Sequence, residues 1–319
     1  MALRPERALL GPERPGVRDI EALNRVFSES FTDRYVRDGL TGVRVPHLNS
    51  LVWRYAIEDA GDGAMVWRDQ DGAIAAFNMV HRSGTEGWMG PLAVRPDRQG
   101  EGIGSTMVRS GIDWLRAGGA TTIGLETMPR TVENIGFYSR LGLVPGPLTV
   151  TFIRDAARPG RVAHERLGQA RDMDSLIEAC RVLTGDLSPG VDFTREIRLT
   201  LELGLGDVSL VRRDGVVEGF ALWHSAPLAA GRPRDELRVL KIVARDLEVF
   251  TSLMTLAQRA AQEEQVRRRV SVRCQGAANG AYRQLVALGY RVHWTDLRMT
   301  LHDAPEPDVR GIVMSNWEI

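Results

Sequence analysis

One short segment constrains the fold of this chain more than any other: residues 94–104, with the sequence VRPDRQGEGIG. It follows a predicted strand, residues 87–94, and opens a predicted helix, residues 103–117. Its three alternate glycines let the backbone approach a ligand closely, because no side chain stands in the way. Amide groups in the first turn of a helix are unpaired and favour phosphate. The segment therefore predicts a binding site for a ligand that carries a pyrophosphate.

Two common phosphate-binding patterns do not fit this segment. A dinucleotide-binding fingerprint needs G-x-G-x-x-G, and counting from Gly100 the third glycine falls on Ser105. A P-loop needs Gly-Lys followed by Ser or Thr, and no lysine is near, since the single lysine is Lys241.

A third pattern does fit. The spacing Gln99-x-x-Gly102-x-Gly104, after a strand that ends at residue 94, resembles the acyl-CoA loop of the GNAT superfamily of N-acyltransferases. A predicted strand over residues 122–127 then leads to a helix with the sequence FYSRLGL at residues 137–143, which is similar to the superfamily's F-Y-x-x-L-G-F block. The glycine turn alone is a weak signal, whereas this order of strand, turn, helix, strand and Phe-Tyr helix is specific.

The length of 319 residues and an internal repeat predict two domains. The sequence AARPG at residues 156–160 is typical of a turn or linker, and the same order of predicted elements occurs on each side of it. The resemblance includes specific motifs over residues 88–143, whereas over residues 161–301 it concerns only the architecture, that is, the order of the elements. We expect an α/β protein of two tandem GNAT-type domains, each a twisted, mixed and mostly antiparallel sheet flanked by helices. The expected bounds are 1–156 and 161–303, with a tail at 304–319 that either crosses to the other copy or closes a sheet edge.

The two copies differ where the ligand site is expected. The two copies can be aligned by matching Val94 with Val243 and, at the end of the later helix, Gly142 with Gly289. In this alignment the second copy has a carboxylate and bulky side chains where the first copy has the glycine-rich turn and the tyrosine. These would repel and obstruct a pyrophosphate, so we expect a degenerate C-terminal copy and one intact site. Mycothiol synthase, within the same superfamily, is similar in length and duplication, but its working copy is the C-terminal one. The replacements are Glu248 for Gln99, Thr251 for Gly102, Leu253 for Gly104 and Leu285 for Tyr138.

The resemblance implies which residues bind acyl-CoA. The backbone of residues 92–94 runs beside the pantetheine arm, and the amides of residues 99–105 hold the pyrophosphate. Arg98 either pairs with a CoA phosphate or is solvated. The family often has Asn seven residues before the tyrosine of the Phe-Tyr block, where this chain has Thr131, and Asn134 lies four residues before it. The predicted binding residues are Leu92, Ala93, Val94, Arg98, Gln99, Gly100, Glu101, Gly102, Ile103, Gly104, Ser105, Thr131 and Asn134.

The implied reaction is direct transfer of an acetyl group from acetyl-CoA to a primary amine of a small molecule or peptide. It needs a base for the amine, an acid for the thiolate and N–H groups that polarise the thioester. By resemblance Tyr138 is the catalytic acid. Glu126 is the predicted base, with its pKa raised by burial, and His81 is the other candidate. The histidines show no metal-ligand spacing, so no metal is expected.

The sequence is least informative about the acceptor. By resemblance its pocket forms from the first two helices and the loop between them, near residues 30–54, although aromatic residues there are equally typical of a core. Two other functions stay open: a non-catalytic acyl-CoA-binding or regulatory module, and a scaffold whose copies only pack. The candidate acceptor-pocket residues are Tyr35, Arg37, His47, Trp53, Arg54 and Tyr55.

Charge and cysteine content exclude several partners. The formal net charge is zero, so no bulk field attracts nucleic acid or an anionic membrane. Two cysteines, Cys180 and Cys274, do not make a disulfide framework and suit a reducing cytoplasm. We expect no signal peptide and no membrane span, because no apolar run is long enough. The sequence leaves open whether the chain forms a homo-oligomer.

Overall fold

A computed structural model describes residues 9–157 and 163–317, so most of the predicted linker at 156–160 lies outside the described residues. The first half contains the strand, turn, helix, strand and Phe-Tyr helix that the sequence predicts. Its elements are β1 (Leu10–Glu13), α1 (Ile20–Arg37), α2 (Ser50–Ala60), β2 (Ala64–Arg68), β3 (Ile74–Ser83), β4 (Glu86–Val94), α3 (Ile103–Ala117), β5 (Thr122–Thr127), α4 (Val132–Ser139) and β6 (Leu143–Asp155).

The second half repeats this order and then adds one strand. Its elements are β7 (Glu165–Arg166), α5 (Met173–Leu187), α6 (Thr194–Glu202), β8 (Gly206–Arg213), β9 (Val216–His224), β10 (Glu236–Ala244), α7 (Leu247–Glu263), β11 (Arg269–Gln275), α8 (Asn279–Ala287), β12 (Arg291–Leu301) and β13 (Ile312–Ser315).

A single 13-stranded sheet runs through both halves, in the order β1-β2-β3-β4-β5-β12-β6-β11-β10-β9-β8-β7, with β13 paired to β10. Strands β4 and β5 are parallel, as are β10 and β11, and the other pairs of named strands are antiparallel. The prediction of mixed, mostly antiparallel sheets flanked by helices is confirmed.

The two halves exchange their last long strands. Strand β12 of the second half lies between β5 and β6, and β6 of the first half lies between β12 and β11. The register aligns Arg298 with Glu126 on one side of β12 and Asp296 with Thr149 on the other. Each half of the sheet is therefore completed by a strand of the other half. The bounds 1–156 and 161–303 stay a prediction about the sequence, because no gap in the sheet separates them.

Both halves contain a pair of parallel strands that separate after four residues. Residues 86–89 of β4 pair with residues 122–125 of β5, and residues 236–239 of β10 pair with residues 269–272 of β11. In each case the first strand has an irregularity just after the paired stretch. Such irregularities bend a strand away from its neighbour. A wedge-shaped gap therefore opens between the parallel strands of each half.

Helix α3 packs across the sheet next to the first gap. Its apolar face buries Met107, Val108, Ile112 and Leu115, and each fully buried side chain contributes about 1.5–3 kcal/mol. The close approach requires Gly111, because a Cβ there would meet Asn78 Nδ2 and Met89 Sδ, each at 2.9 Å. This packing fixes the start of α3 beside the gap.

Candidate functional site

The gap between β4 and β5 opens into a cavity of about 660 Å³. It is lined by the glycine-rich turn, by α1, α3 and α4, and by residues of the second half. Of the predicted binding and catalytic residues, Glu101, Thr131 and the alternative base His81 do not line it. The predicted residues that line it are Leu92, Ala93, Val94, Arg98, Gln99, Gly100, Gly102, Ile103, Gly104, Ser105, Glu126, Asn134 and Tyr138.

The glycine-rich turn has a backbone that only glycine adopts easily. Gly100 has a φ of +84° and Gly102, the N-cap of α3, has a φ of +83°. A Cβ on either would meet no heavy atom of the described chain within 4 Å, so it would project into open space. The amide of Ser105 already donates to Gly102 O at 3.0 Å, which leaves the earlier amides of the helix start for a ligand. This open cradle fits the pyrophosphate of an acyl-CoA.

Gly104 serves a different purpose from the other two glycines. Its φ is not positive, and a Cβ there would lie 3.3 Å from the ring of Phe137. Gly104 therefore lets α4 pack closely against the first turn of α3. This contact brings Phe137 and Tyr138 to the wall of the cavity.

Polar side chains fasten the turn to the end of β4. Gln99 Nε2 and Ser30 Oγ both donate to Val94 O, at 3.0 Å and 3.1 Å. Arg98 is almost completely buried, and its guanidinium group binds Asp69 and Glu101, the latter at 2.8 Å. Arg98 is thus not solvated, and these ion pairs fix the shape of the turn. Its contact with a CoA phosphate stays a prediction.

The edge of β4 that faces the gap is paired with another strand over only part of its length. Strand β5 pairs only with residues 86–89, so in the described sheet the backbone beyond Met89 has no strand partner on this side. Extended ligands with amide groups pair with such edges as an added strand does. The pantetheine arm of CoA has two amides and matches this edge.

The two polar residues before the Phe-Tyr block lie in different surroundings. Thr131 is buried, and its hydroxyl donates to Asp38 Oδ2 at 2.5 Å, away from the cavity. This contact joins α4 to the end of α1. Asn134 lines the cavity. Of the two, only Asn134 is therefore positioned to contact a ligand directly.

Tyr138 lies at the narrow end of the gap and is buried. It packs in an apolar cluster with Met89 and Leu125, the last paired residues of the two parallel strands. Burial raises the pKa of the Tyr138 phenol above its usual range. The hydroxyl therefore keeps its proton at neutral pH and is available as a donor.

Glu126 does not have the raised pKa that its burial predicts. Burial alone would raise the pKa, but the guanidinium groups of Arg273 and Arg298 outweigh it and hold the pKa of Glu126 below its usual range. Arg298 Nη1 lies 2.9 Å from Glu126 Oε1, and Thr149 Oγ1 and Arg273 also donate to this carboxylate. The prediction of a carboxyl group raised towards neutrality is wrong, because two arginines from the second half neutralise it.

His81 is not exposed to the cavity. Its Nδ1 lies 2.6 Å from Asp59 Oδ2, and its Nε2 lies 3.1 Å from Gly90 O. Both partners are hydrogen-bond acceptors, which leaves neither ring nitrogen free to take a proton from a substrate. The contacts instead anchor the irregular part of β4 to α2.

The predicted acceptor-pocket residues separate into two groups. Tyr35 and Arg37 line the cavity from α1. Trp53 and Tyr55 are buried in the core, where Trp53 Nε1 donates to Asn24 Oδ1 at 2.7 Å. The other two, His47 and Arg54, are exposed outside the cavity.

Four cavity residues that sequence reasoning missed come from the second half: Arg273, Trp294, Asp296 and Trp317. Local sequence carries no signal for the first three, because they reach the site through the strand exchange. The apolar tail was a signal for Trp317. Strand β13 fills the gap between β10 and β11, and Trp317 beyond it reaches the first-half cavity, where its ring stacks on His81 at 6.0 Å. The tail therefore both closes a sheet edge and crosses to the other copy, the two alternatives that the sequence left open.

The second half has no open counterpart of this site in the described residues. Strand β13 pairs with residues 241–244 of β10, the stretch that corresponds to the free edge of β4. Only Arg245 and Asp246 separate β10 from α7, and Asp246 Oδ1 accepts from Val249 N at 2.8 Å. A carboxylate thus already occupies the start of α7.

The residue-by-residue alignment of the two turns is wrong, because the second turn is shorter than the first. Glu248, Thr251 and Leu253 consequently lie within α7 and do not replace the glycine turn.

Two further observations concern only the part of the chain that the structure describes. No helix in it is both long enough and apolar enough to cross a bilayer. It also contains no group of three or more His, Cys, Asp or Glu side chains arranged to hold a metal ion.

Comparisons with known proteins agree with this geometry. Residues 21–143 match the family described as Acetyltransferase (GNAT) family. N-alpha-acetyltransferase 30 of Schizosaccharomyces pombe is 32% identical over 98 residues, which are 30% of this chain and 65% of that protein. Mycothiol acetyltransferase of Clavibacter michiganensis subsp. michiganensis is 29% identical over 87 residues, or 27% of this chain and 28% of that protein. The chain thus spans less than two thirds of either relative.

Solved structures extend the likeness of fold over nearly the whole chain. A tandem GNAT protein from the clavulanic acid biosynthesis pathway has a TM-score of 0.59 at 14% identity, covering 95% of this chain and 100% of that one. Saccharomyces cerevisiae N-myristoyltransferase with bound myristoyl-CoA has a TM-score of 0.63 at 11% identity, covering 94% and 84%. Nearly the whole chain therefore has a fold similar to that of a tandem GNAT protein. Residues 21–143, which contain the glycine-rich turn and the Phe-Tyr helix, match the GNAT family itself.

Proposed function

We propose that this protein is an N-acetyltransferase that transfers the acetyl group of acetyl-CoA directly to a primary amine. The observation that carries the proposal is the open gap between β4 and β5, with the glycine cradle at one end and Tyr138 at the other. One acetyl-CoA binds per chain, in the first half. The names of the two curated relatives, both acetyltransferases, support acetyl over longer acyl groups.

Each part of the gap has a task in this proposal. The amides at the start of α3 hold the pyrophosphate, and the free edge of β4 holds the pantetheine and polarises the thioester carbonyl. Tyr138 gives its proton to the departing thiolate. Its raised pKa keeps the phenol protonated until the thiolate forms beside it.

The test is release of free CoA from acetyl-CoA in the presence of a panel of primary amines, with calorimetry of acetyl-CoA binding in parallel. Saturable binding together with amine-dependent CoA release is the expected result. Longer acyl-CoAs should compete for binding but turn over more slowly.

Two other results would each replace the proposal. Tight acetyl-CoA binding without CoA release under any amine would identify a non-catalytic acyl-CoA-binding or regulatory module. Absence of binding would identify a scaffold, because the glycine cradle would then have no ligand.

A further inference from the structure

The second half contributes one face of the first-half cavity. Trp294, Asp296 and Arg298 alternate along β12, so their side chains lie on the same face of the sheet. Arg298 pairs with Glu126 of β5, and Arg273 of β11 reaches both Glu126 and Asp296. Strand exchange thus brings residues that are far apart in sequence onto one surface.

This surface holds more negative than positive charge. Two guanidinium groups bind four carboxylates: Arg273 contacts Glu126 and Asp296, and Arg298 contacts Glu126, Glu306 and Glu86. The Arg298 contacts measure 2.9 Å to Glu126, 2.8 Å to Glu306 and 3.6 Å to Glu86. Asp296 therefore shares the guanidinium group of Arg273 with Glu126 and is only partly neutralised by it.

Three carboxylates line the cavity, and one of them, Asp33 of α1, is paired with Arg37 at 2.7 Å. Of the two that lie on the sheet, Asp296 has more spare capacity than Glu126. Glu126 accepts from Thr149, Arg273 and Arg298, whereas Asp296 accepts from Arg273 at 2.8 Å and from Trp294 Nε1 at 3.2 Å. An ionised carboxylate has about four acceptor positions. Asp296 can thus receive further hydrogen bonds from a ligand.

We propose that Asp296 is the catalytic base of the first-half site: it binds the ammonium group of the acceptor and takes its proton. The inference rests on the proposed acetyl transfer and names a residue for it. The acceptor is a primary amine with an apolar body, because the Tyr35 and Trp294 rings, 6.5 Å apart, line the cavity beside Asp296. The exposed part of Trp294 gives this body an aromatic surface.

The environment of Asp296 suits a proton acceptor. Burial raises its pKa, Arg273 opposes the rise, and the carboxylate of Glu126 adds to it. The net rise makes Asp296 a stronger base than a solvated aspartate. Its charged and titratable neighbours are Arg273 from β11, Glu126 from β5 and Tyr35 from α1, while Arg298 of its own strand binds Glu126.

The transfer consumes an ammonium and a thioester and yields an amide, free CoA and one proton. Asp296 removes one proton from the ammonium and later releases it to solvent. The free amine forms a C–N bond to the thioester carbon as the C–S bond breaks, and Tyr138 protonates the thiolate. The second nitrogen proton leaves to solvent as the amide forms, and Tyr138 is reprotonated from solvent. One proton is released for each amide formed.

The first experiment measures equilibrium binding by calorimetry in the presence of saturating CoA. The probes are phenethylamine and its neutral counterpart 2-phenylethanol, tested on the wild type, Asp296→Asn and Asp155→Asn. We expect the wild type to prefer the amine at least ~10-fold and Asp296→Asn to lose this preference. Asp155, an exposed aspartate of β6 paired with Arg291, is the matched control and should keep it. Equal preference in the wild type and Asp296→Asn would overturn the proposal whether or not the protein turns over.

The second experiment compares pH profiles of acetyl transfer. A base must be deprotonated, so the rate of the wild type rises as the pH passes through the pKa of Asp296. In Asp296→Asn this rising limb of the pH profile should be absent, and the rate at neutral pH should be about 10²-fold lower. The rate should recover partly at a pH where the amine itself is deprotonated. Asp296→Glu, which keeps a carboxylate, should retain the limb. An active wild type with an unchanged limb in Asp296→Asn would refute the base assignment alone, whereas an inactive wild type would refute the acetyl transfer itself.

Discussion

Replacing Gly102 by alanine separates the role of the glycine turn in ligand binding from its role in folding. Its φ of +83° is in the left-handed region, which costs a residue with a Cβ about 1–2 kcal/mol. The added methyl group meets no heavy atom of the described chain within 4 Å, so this strain is the whole cost to folding. We therefore expect the free energy of unfolding to fall by about 1–2 kcal/mol in urea titrations.

The effect on the ligand should be larger than the effect on folding. Gly102 lines the cavity, and the methyl group of Gly102→Ala would lie in the open space at the start of α3, where the pyrophosphate is expected. The Kd for acetyl-CoA should therefore rise at least ~10-fold, or about 1.4 kcal/mol. Gly119→Ala is the matched control, because Gly119 has a φ of +81°, equally open surroundings and a position at the far end of α3. Both variants should lose the same stability. Equal acetyl-CoA affinity in the two would refute the assignment of the turn to the pyrophosphate.

Three further predictions follow from the site. Calorimetry should give one acetyl-CoA per chain, because β13 fills the second gap and Asp246 caps α7; two equivalent sites would contradict this. Tyr138→Phe should bind acetyl-CoA normally but turn over about 10²-fold more slowly, as expected for the loss of one positioned acid; a near-normal rate at every pH would remove that role. Glu126→Gln should lose on the order of 1–3 kcal/mol of stability at neutral pH, as expected for charged hydrogen bonds. The pKa of Glu126 is lower in the folded protein than in the unfolded protein, where it is near 4.5. The stability that the ionised carboxylate contributes is therefore fully present above the unfolded pKa and is lost as the pH falls through the folded pKa. The difference in melting temperature between the wild type and Glu126→Gln should therefore vanish in acid, and a difference independent of pH would disprove the ion-pair explanation.

The helices and strands that are determined by residues close together in the sequence could be predicted. The predicted helix at 103–117 and the predicted strand at 122–127 coincide with α3 and β5. Both follow from local hydrophobic pattern and from glycines that the turn requires. The strand and the helix on either side of the glycine turn lie within a few positions of it, so the place of the turn beside the cavity could be predicted as well, whereas its ligand stays a prediction.

The acceptor side could not be predicted, because it depends on which strand lies beside β5. Hydrophobic alternation indicates that a strand exists but does not identify its neighbour. Glu126 binds Arg273 and Arg298, which are 147 and 172 residues away in the sequence. Without those contacts its burial predicts a raised pKa, and with them the shift reverses. Asp296 was not predicted for the same reason, because it reaches the cavity on β12.

The strand exchange also affects how this protein can evolve. A duplicated domain that has no open ligand site is ordinarily dispensable, but deleting this one would leave β5 without its neighbour β12. Losing the first copy would in turn expose β11, because β6 pairs with it. Neither copy can therefore be deleted or recombined by itself, and substitutions in β12 act on a site whose ligand loop lies almost two hundred residues earlier. Selection on one reaction is thus expected to preserve both halves of the gene.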